Sequence, residues 1–402
     1  MVSLHEVAKI VDCEHKTAPT VEHNPFAFAV GTPALKHGRI DVSNARPISQ
    51  ETYESWTRRS IPRDGDIIMS REAPVGRLGY VDSSQRYCLG QRTVLVRADP
   101  DQVLPKYLYH LVRGRYIQEW MSRRAMGSTV HHLNVADIKQ MPVGQLPSLE
   151  NQTQIVELLD PLEKLIEACL ETSKRQNELG DFLYHAWFHQ FDFPTPEGQP
   201  YRSSGGKLES TDTLGLEIPS GWEVKKLDNY LDFQRGFDPG SQSYGVSYDH
   251  KTSIPFIRVG DLEQPSDIAV DKDTKGLVIC RPEDLIVSFD GSVGKVATGL
   301  SGAISGGLRI VQPKTQVISR SVAYFIMRSQ RIQSIMQKYS TGSVLKHASS
   351  SIPKLVIPFS SSQMEAFSEL ANPLFSSIQQ LNLTRETLEQ GLLDATAKLI
   401  RF

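Results

Sequence analysis

Few side chains in this 402-residue sequence have the types and spacing that catalysis requires. The pair His131-His132 could bind a metal or transfer protons, but adjacent side chains diverge on a helix or strand and no third ligand follows at usable spacing. Asp64, Asp66 and Glu72 come near the carboxylate cluster of a nuclease, although their pattern is better explained by turns. The acidic and imidazole groups therefore predict neither a catalytic nor a metal site.

Nucleophile and cofactor motifs are also missing from the sequence. Ser70 and Ser288 do not lie in a G-x-S-x-G elbow, and there is no G-x-x-x-x-G-K-[ST] phosphate loop. Asn24-Pro25-Phe26 lacks the second proline of an amino-methyltransferase loop. The scattered Cys13, Cys88, Cys169 and Cys280 predict buried thiols in a reducing cytoplasm. We therefore expect a chain without its own catalytic centre, metal or cofactor.

Two loops have the composition of phosphate-binding sites. Gly127-Ser128-Thr129 follows Arg123 and Arg124, and Gly342-Ser343 follows Lys338. Small hydroxyls, cationic side chains and exposed helix N–H groups donate hydrogen bonds to phosphate oxygens. A tightly packed structural turn would have the same composition, so a phosphate-binding loop and a structural turn both stay open at this point.

The elements that would position these residues are encoded twice. Residues 117–139 align without a gap on 332–354 at an offset of 215, and 66–77 align on 284–295 at an offset of 218. Two collinear blocks at nearly one offset indicate a tandem duplication of a domain. The matched residues include Asp66 with Asp284, Ser70 with Ser288, Gly76 with Gly294, Gln118 with Gln333, and His132 with His347.

Each half begins with short β-type runs and ends with about 40 residues whose apolar positions recur at helical spacing. The steps Asp160-Pro161 and Asn372-Pro373 resemble helix starts, so we expect a break or kink there after a short lead-in helix. About thirty residues follow each step, or about 45 Å of helix. A duplicated amphipathic helix can bury its apolar stripe against its copy.

These patterns predict an α+β protein in which two β-rich domains are joined by two long antiparallel helices, a pseudo-twofold tandem repeat. The alternative is an ordinary α+β protein whose helices cap separate cores. The predicted boundaries are a first β-rich domain at 1–147, a central helix at 148–191, a Pro/Gly/Ser-rich linker at 192–221, a second β-rich domain at 222–360 and a C-terminal helix at 361–402.

The formal net charge of −2 hides an alternation along the chain. Residues 1–147 carry 19 Lys and Arg against 15 Asp and Glu, and 222–360 carry 17 against 13, whereas 148–191 carry 3 against 8. Basic β-rich blocks favour a polyanionic partner, and the acidic helix does not. The sequence has no run of eighteen apolar residues, so it predicts no membrane span, and it shows no signal peptide.

Over nearly its whole length the sequence resembles the specificity subunits of type I restriction–modification enzymes. The resemblance rests on the duplicated plan, on Ile218–Glu223 at the second domain's entry, on Leu89–Arg92 before a strand, and on the two Gly-Ser loops. Asn151-Gln152, two residues before Ile155-Val156 at the first helix start, supports it. The first domain departs from the pattern because it lacks the Trp-Glu entry.

The resemblance implies a non-catalytic, cytoplasmic subunit that reads double-stranded DNA at a bipartite site, with one half-site for each β-rich domain. The helices would separate the half-sites and dock two methyltransferase subunits. S-adenosylmethionine would then bind in the methyltransferase, and ATP and Mg²⁺ in a motor–nuclease subunit where one is present. The alternatives are a restriction–modification chain with its own catalysis, which the missing motifs disfavour, and a scaffold that binds only protein.

Base reading uses donors and acceptors in positions that differ between the halves, since the two half-sites differ. We therefore expect the following residues to contact DNA: Lys16, Thr17, Arg71, Arg77 and Arg92 in the first domain, Arg235, Asp290, Lys295 and Lys346 in the second, and Arg123 and Arg124 beside the first Gly-Ser loop.

Overall fold

The computed structural model divides the chain into two compact units by their internal contacts. The first unit comprises Met1–Ile166 with Thr387–Phe402, and the second comprises Glu167–Glu386. Each unit contains its own helices and sheets, which confirms the predicted α+β class. The structure describes residues 2–72, 74–82, 84–125, 132–211, 215–245, 251–262, 268–342 and 346–400.

The first unit is built on two sheets flanked by short helices. One sheet has the order β2-β10-β7-β8 and is antiparallel; the other has the order β6-β3-β9, with β3 and β9 parallel. Its helices are α1 (Leu4–Val7), α2 (Gln50–Trp56), α3 (Pro105–Arg113), α4 (Arg115–Arg124) and α5 (Val135–Lys139). Its strands are β1 (Val2–Ser3), β2 (Ala8–Asp12), β3 (Ala27–Val30), β4 (Leu35–Lys36), β5 (Arg39–Ile40), β6 (Arg46–Ile48), β7 (Ile67–Ser70), β8 (Leu78–Tyr80), β9 (Tyr87–Leu89), β10 (Thr93–Ala98) and β11 (Pro142–Gly144).

The second unit repeats this plan. Its antiparallel sheet has the order β15-β22-β19-β20, and its other sheet has the order β17-β16-β21-β18, with β16 and β21 parallel. Its helices include α7 (Arg320–Arg328) and α8 (Gln330–Lys338). Its strands are β12 (Leu208–Thr211), β13 (Leu216–Pro219), β14 (Glu223–Lys226), β15 (Leu231–Arg235), β16 (Ser253–Ile257), β17 (Ala269–Asp271), β18 (Ile279–Cys280), β19 (Leu285–Ser288), β20 (Val296–Ala297), β21 (Gly302–Ile304), β22 (Leu308–Pro313) and β23 (Val356–Phe359).

Buried apolar strands hold each unit together. In β7 the residues Ile67, Ile68 and Met69 are at most 1% exposed, and β19 of the second unit is equally buried. Strands that are covered on both faces need such continuous apolar runs rather than an alternation of polar and apolar residues. The central strands of both units are therefore specified directly by the sequence.

Two long helices contain residues of both units. They are α6 (Leu149–Phe188) and α9 (Ser361–Leu399), and each continues through its proline, Pro161 or Pro373. The predicted break at the Asx-Pro steps is therefore wrong, whereas a kink there stays a prediction. An interior proline costs about 3 kcal/mol because it removes a backbone hydrogen bond, and the burial of Leu159 and Ile166 near Pro161, and of Ala371 and Phe375 near Pro373, opposes that cost.

The Asx side chains serve tertiary contacts instead of capping. The carboxylate of Asp160 lies 3.1 Å from His110 Nε2 on α3, and Asn372 Oδ1 accepts a 2.6 Å hydrogen bond from Ser321 on α7. The helix α6 begins twelve residues earlier, where Ser148 Oγ accepts a hydrogen bond from the backbone N–H of Asn151. Spacing alone could not distinguish these two uses of an Asx residue before a proline.

Within the second unit the two long helices run antiparallel. Gln176 of α6 donates to Ser377 Oγ of α9 at 2.9 Å, and Ser173 donates to Asn382 Oδ1 at 3.3 Å. A later residue of α6 therefore contacts an earlier residue of α9. This pairing buries part of the apolar stripe that the sequence predicts for each helix.

The segment that we predicted to be a linker contains regular structure. Strands β12 and β13 form an antiparallel hairpin, and the ring of Phe193 stacks on Tyr201 and on Trp222 at 4.7 and 5.3 Å. Aromatic packing therefore holds this stretch, despite its composition of Pro, Gly and Ser.

Three of the four thiols are buried, as predicted: Cys13, Cys88 and Cys280. Burial raises the pKa of Cys88 and of Cys280 to about 12, which leaves both thiols protonated and unreactive at neutral pH. Among the residues that the structure describes, no helix is long and apolar enough to cross a membrane.

Candidate nucleic-acid interface

One end of the antiparallel sheet in the first unit gathers the polar residues of interest. Strand β2 ends at Asp12 opposite Val94, and β7 ends at Ser70 opposite Thr93. The chain therefore leaves β2 and β7, and enters β10, at the same end of the sheet. Arg71 directly follows β7 and Arg92 directly precedes β10, so the topology brings two of the predicted DNA-binding residues together beside Asp12.

Ionic contacts fix this sheet-end cluster. Arg71 lies 3.5 Å from the carboxylate of Asp12 and 3.9 Å from that of Glu72, and Arg92 Nε lies 3.2 Å from Glu72. The side chain of Arg71 is 12% exposed and that of Arg92 is 47% exposed. Arg92 also has a φ of +70°, a conformation that side chains other than glycine adopt at a cost. These pairs orient both guanidinium groups, that of Arg71 mostly buried and that of Arg92 exposed.

The loop after β2 places Lys16 and Thr17 in the same neighbourhood. Both residues are exposed, and Thr17 donates a 3.1 Å hydrogen bond to Gln91, next to Arg92. The sequence analysis missed Arg59, whose guanidinium donates to the backbone carbonyls of Asp12 and Cys13 at 3.2 and 3.0 Å. Nothing in its sequence context distinguished Arg59 from an ordinary surface arginine.

Arg123 and Arg124 have local partners. Arg123 pairs with Glu119 one helical turn earlier at 3.0 Å, and its side chain is 79% exposed. Arg124 lies 3.5 Å from Asp137 on α5 and 5.2 Å from the ring of Trp120. These contacts keep both arginines on the surface of α4. The Gly127-Ser128-Thr129 loop after α4, Ser343 of the loop after α8, and His131 lie outside the described residues.

The equivalent sheet end of the second unit carries different polar side chains. Strand β15 ends at Arg235, which is exposed and donates to the carbonyl of Gly306 at 3.1 Å. Asp290 follows β19, and its Oδ1 lies 2.9 Å from His347 Nδ1. Lys346 is exposed and donates to Gln337 at 3.3 Å. Three predicted residues, Arg235, Asp290 and Lys346, therefore lie near this end of the sheet.

A buried arginine at the same sheet end was also missed. Arg309 pairs in register with Arg235 and is 4% exposed. Its guanidinium donates to the carbonyl of Gly306 and to Ser349 Oγ, both at 2.8 Å. Burial, and then the nearby charge of Arg235, lower the pKa of Arg309. Its counterpart at an offset of 215 is Val94, so the duplication gave no signal for it.

Corresponding contacts show that the two sheet ends are structural equivalents. The isolated β-bridge between Glu72 and His132 in the first unit recurs as the bridge between Asp290 and His347 in the second. Glu72 and Asp290 are related by the offset of 218, and the histidines by the offset of 215. The backbone around the two clusters is therefore common and both units place a carboxylate at this bridge, whereas the arginines around it differ.

The residues that repeat in the sequence build the turn behind each cluster. Ser70 Oγ donates to a carbonyl four residues later and accepts from the N–H of Arg77 at 2.9 Å. Ser288 makes the same two hydrogen bonds, the second from Lys295 at 2.8 Å. Both serine hydroxyls are committed to the backbone, and the half-buried Arg77 and Lys295 belong to these turns.

Glycine and glutamine complete each turn. Gln118 donates to the carbonyl of Gly76 at 3.2 Å, and Gln333 donates to that of Gly294 at 2.8 Å. Gly76 and Gly294 have φ values of +84° and +91°, which favour glycine. An L side chain at either position would also meet the glutamine. The duplicated motif is therefore a structural turn that anchors helix α4 or α8 to the sheet.

Two buried carboxylates elsewhere in the first unit are paired with neighbouring cationic side chains. Asp66 accepts from Arg97 at 2.8 and 2.6 Å, as expected for a structural carboxylate. His110, Asp160 and Glu163 lie close enough for a shared metal ion. Lys106 and Arg113 already contact Glu163, at 2.8 and 3.2 Å, so positive charge fills that position.

Known proteins resemble this chain in sequence. Residues 1–179 match the family model described as the type I restriction modification DNA specificity domain. The type I restriction enzyme MjaIX specificity subunit of Methanocaldococcus jannaschii is 28% identical over 221 residues, which cover 54% of this chain and 46% of that protein. The HindI specificity subunit of Haemophilus influenzae is 23% identical over 191 residues, covering 46% and 40%. The chain spans about half the length of the curated relatives it matches.

A solved structure also aligns with the chain. The crystal structure of the S subunit of a type I restriction–modification system from M. genitalium covers 98% of this chain and 95% of its own, with 14% identity and a TM-score of 0.45. The family match depends on the sequence comparisons alone. The match of residues 1–179 to this family model, together with the similarity to curated type I specificity subunits, confirms the resemblance predicted from the sequence.

Proposed function

We propose that this chain is the DNA-binding specificity subunit of a type I restriction–modification enzyme, with one half of a bipartite site read by each sheet-end cluster. One observation carries the proposal: equivalent sheet ends present different polar side chains on the same backbone frame. Asp12, Arg71 and Arg92 occupy this position in the first unit, and Arg235 and Asp290 occupy it in the second. A common frame with different side chains is what two different half-sites require.

The chemistry of each cluster suits base edges in the major groove. Guanidinium groups donate in pairs to guanine O6 and N7, and carboxylates accept from the amino group of cytosine. The ion pairs of Arg71 and Arg92 hold their guanidinium groups in place before DNA arrives, which lowers the entropy cost of binding. Lys16 and Lys346 lie nearby and are exposed, as phosphate contacts need to be.

Partner subunits would supply the chemistry. Helix α6 exposes large apolar side chains at helical spacing: Leu158 at 61%, Leu165 at 53%, Leu179 at 48% and Phe182 at 67%. The segment around them is acidic, with 3 Lys and Arg against 8 Asp and Glu at 148–191. This stripe is suited to docking methyltransferase subunits that bind S-adenosylmethionine, while a motor–nuclease subunit, where present, binds ATP and Mg²⁺.

The proposal is tested by DNA binding of the full chain co-expressed with its methyltransferase. We expect tight binding whose affinity falls steeply between 50 and 200 mM salt, as counterion release requires (about 10³-fold for six phosphate contacts). Arg92→Gln and Arg235→Gln should each weaken binding about tenfold or more and relax the sequence preference of one half-site only. Arg202→Gln, at an exposed position in the 192–221 segment, is the matched control.

Two outcomes would contradict the proposal. Salt-insensitive binding, or no binding even with the methyltransferase, would favour a scaffold that contacts only protein. Loss of preference in both half-sites from either single variant would show that the two clusters do not read separate sequences.

A further inference from the structure

The second unit contains a cavity that none of the proposed DNA contacts line. Its volume is about 210 Å³, and it lies where the end of α6 meets the junction of α7 and α8. The lining comprises charged or titratable groups, apolar walls, and the neutral polar residues Ser329 and Gln330. The first group comprises Asp181, His185, His189, Arg328 and Arg331, and the rings of Tyr184, Phe188, Phe325 and Pro358 form the walls.

The charges around the cavity are not balanced. Asp181 is committed to Arg328, which donates to its two oxygens at 2.9 and 2.6 Å. Arg331 forms no ion pair with any carboxylate among the residues that the structure describes. The rings of His185 and His189 stack at 4.5 Å, next to that unpaired guanidinium. A positive charge and two protonatable rings thus face the cavity without a counterion.

The titration behaviour of these groups supports that imbalance. Burial, followed by the charges of His185 and Arg331, lowers the pKa of His189. Burial also lowers the pKa of Arg331, against an opposing contribution from Tyr184. Arg331 is therefore the fixed positive charge of the site, and its charge makes protonation of His189 less favourable, a penalty that a bound anion would offset.

The duplication gives a second reason to regard this set as functional. The turn residues behind the sheet ends recur in both halves, as scaffold residues should. Arg331, by contrast, corresponds at the offset of 215 to Tyr116 on α4. Packing of α8 against its sheet therefore does not require an arginine at this position, because α4 packs in the same way without one.

We propose that this cavity binds a small oxyanion, either inorganic phosphate or the phosphate end of a small organic phosphate, through Arg331 and the imidazoles of His185 and His189. Typical pockets for drug-sized ligands measure about 300–1,000 Å³. This cavity is smaller, at about 210 Å³, so it accommodates only a small ligand. The aromatic walls accommodate a short apolar group beside the anion. This site is independent of DNA reading and adds a small-molecule ligand to the second unit.

Calorimetry on the full chain with inorganic phosphate and with phenyl phosphate tests the proposal and distinguishes the two sources. Binding of at least one ligand is expected, and tighter binding of phenyl phosphate would identify an organic phosphate. Arg331→Gln should weaken binding about tenfold or more, the loss expected for a charge-assisted contact. Arg115→Gln is the matched control, since Arg115 is exposed in the first turn of α4.

A second measurement uses sulfate, whose charge is constant over the pH range. Anion binding favours protonated imidazoles, so sulfate affinity should rise as the pH falls from about 7.5 to 6. His189→Gln should reduce that dependence, and it serves as the second variant if Arg331→Gln lowers the thermal midpoint. The proposal is overturned if neither phosphate binds, if Arg115→Gln weakens binding as much as Arg331→Gln, or if sulfate affinity is independent of pH.

Discussion

A buried ionic network attaches α3 of the first unit to α6, and Glu163→Gln tests its contribution. Glu163 accepts from Lys106 at 2.8 Å and from Arg113 at 3.2 Å, and its side chain is 12% exposed. The variant keeps the size and removes the charge, so two cations lose their carboxylate. Removing one partner of a buried pair costs about 3–5 kcal/mol. We expect about 3 kcal/mol, because Lys106 is 30% exposed.

The duplicated copy provides the control. Lys106 corresponds to Ser321 and Glu163 to Phe375, so the second unit replaces the ionic network by a neutral hydrogen bond and ring packing against Tyr324. Ser321→Ala should cost only about 1 kcal/mol. Hydrogen exchange measures both units in one sample. In Glu163→Gln the amides of α3 should exchange roughly 150-fold faster, and those of α7 should be unchanged.

The network also predicts a pH dependence with a definite sign. Burial opposes ionisation of Glu163, but Lys106, Tyr109 and Arg113 together hold its pKa below 4.5. His110 holds the pKa of Asp160 below 3.8. Because both pKa values are lowered by folding, the stabilisation is complete above about pH 5 and is lost as the pH falls through the folded values. Protection of α3 that is insensitive to Glu163→Gln, or to acid after correction for intrinsic exchange, would refute this reasoning.

Three further predictions concern the duplicated turns and the long helices. Ser70→Ala and Ser288→Ala should each lower the free energy of unfolding by about 1–2 kcal/mol in urea titrations, since each hydroxyl makes two hydrogen bonds; a loss in one copy only would contradict the equivalence of the turns. Gly294→Ala should lower the thermal midpoint, because its φ is +91° and a methyl group would meet Gln333. Gly391→Ala, in open space on α9, should raise the midpoint through a gain of about 0.5–1 kcal/mol, and a decrease would show that this helix position is not free.

The parts of the fold that depend on local chemistry could be predicted from the sequence. The turn at Ser70 and Gly76 needs a hydroxyl, a left-handed glycine and a distant glutamine at fixed positions, so its copy at Ser288 and Gly294 was recognisable. Continuous apolar runs such as β7 and β19 likewise identified central strands. These features are encoded within a few residues of each other, or repeat at the offsets of 218 and 215.

Features that depend on tertiary contacts could not be predicted. Asp160-Pro161 has the local signature of a helix start, yet α6 continues because α3 supplies His110 as a partner. Arg59 joins the first cluster through the backbone carbonyl of Cys13, and Arg309 joins the second through Ser349 Oγ, and both partners are distant in sequence. The domain boundaries and the DNA contacts remain predictions from the sequence, although the topology brings Arg71 and Arg92 to one sheet end.

The measurement that tests the central claim most directly is methylome sequencing of the host with and without this gene. A bipartite N6-methyladenine motif should disappear on deletion and return on complementation. Complementation with a chain in which residues 222–360 come from another family member should change only one half of that motif. A methylome unaffected by deletion, or a chimera that changes both halves at once, would contradict the account.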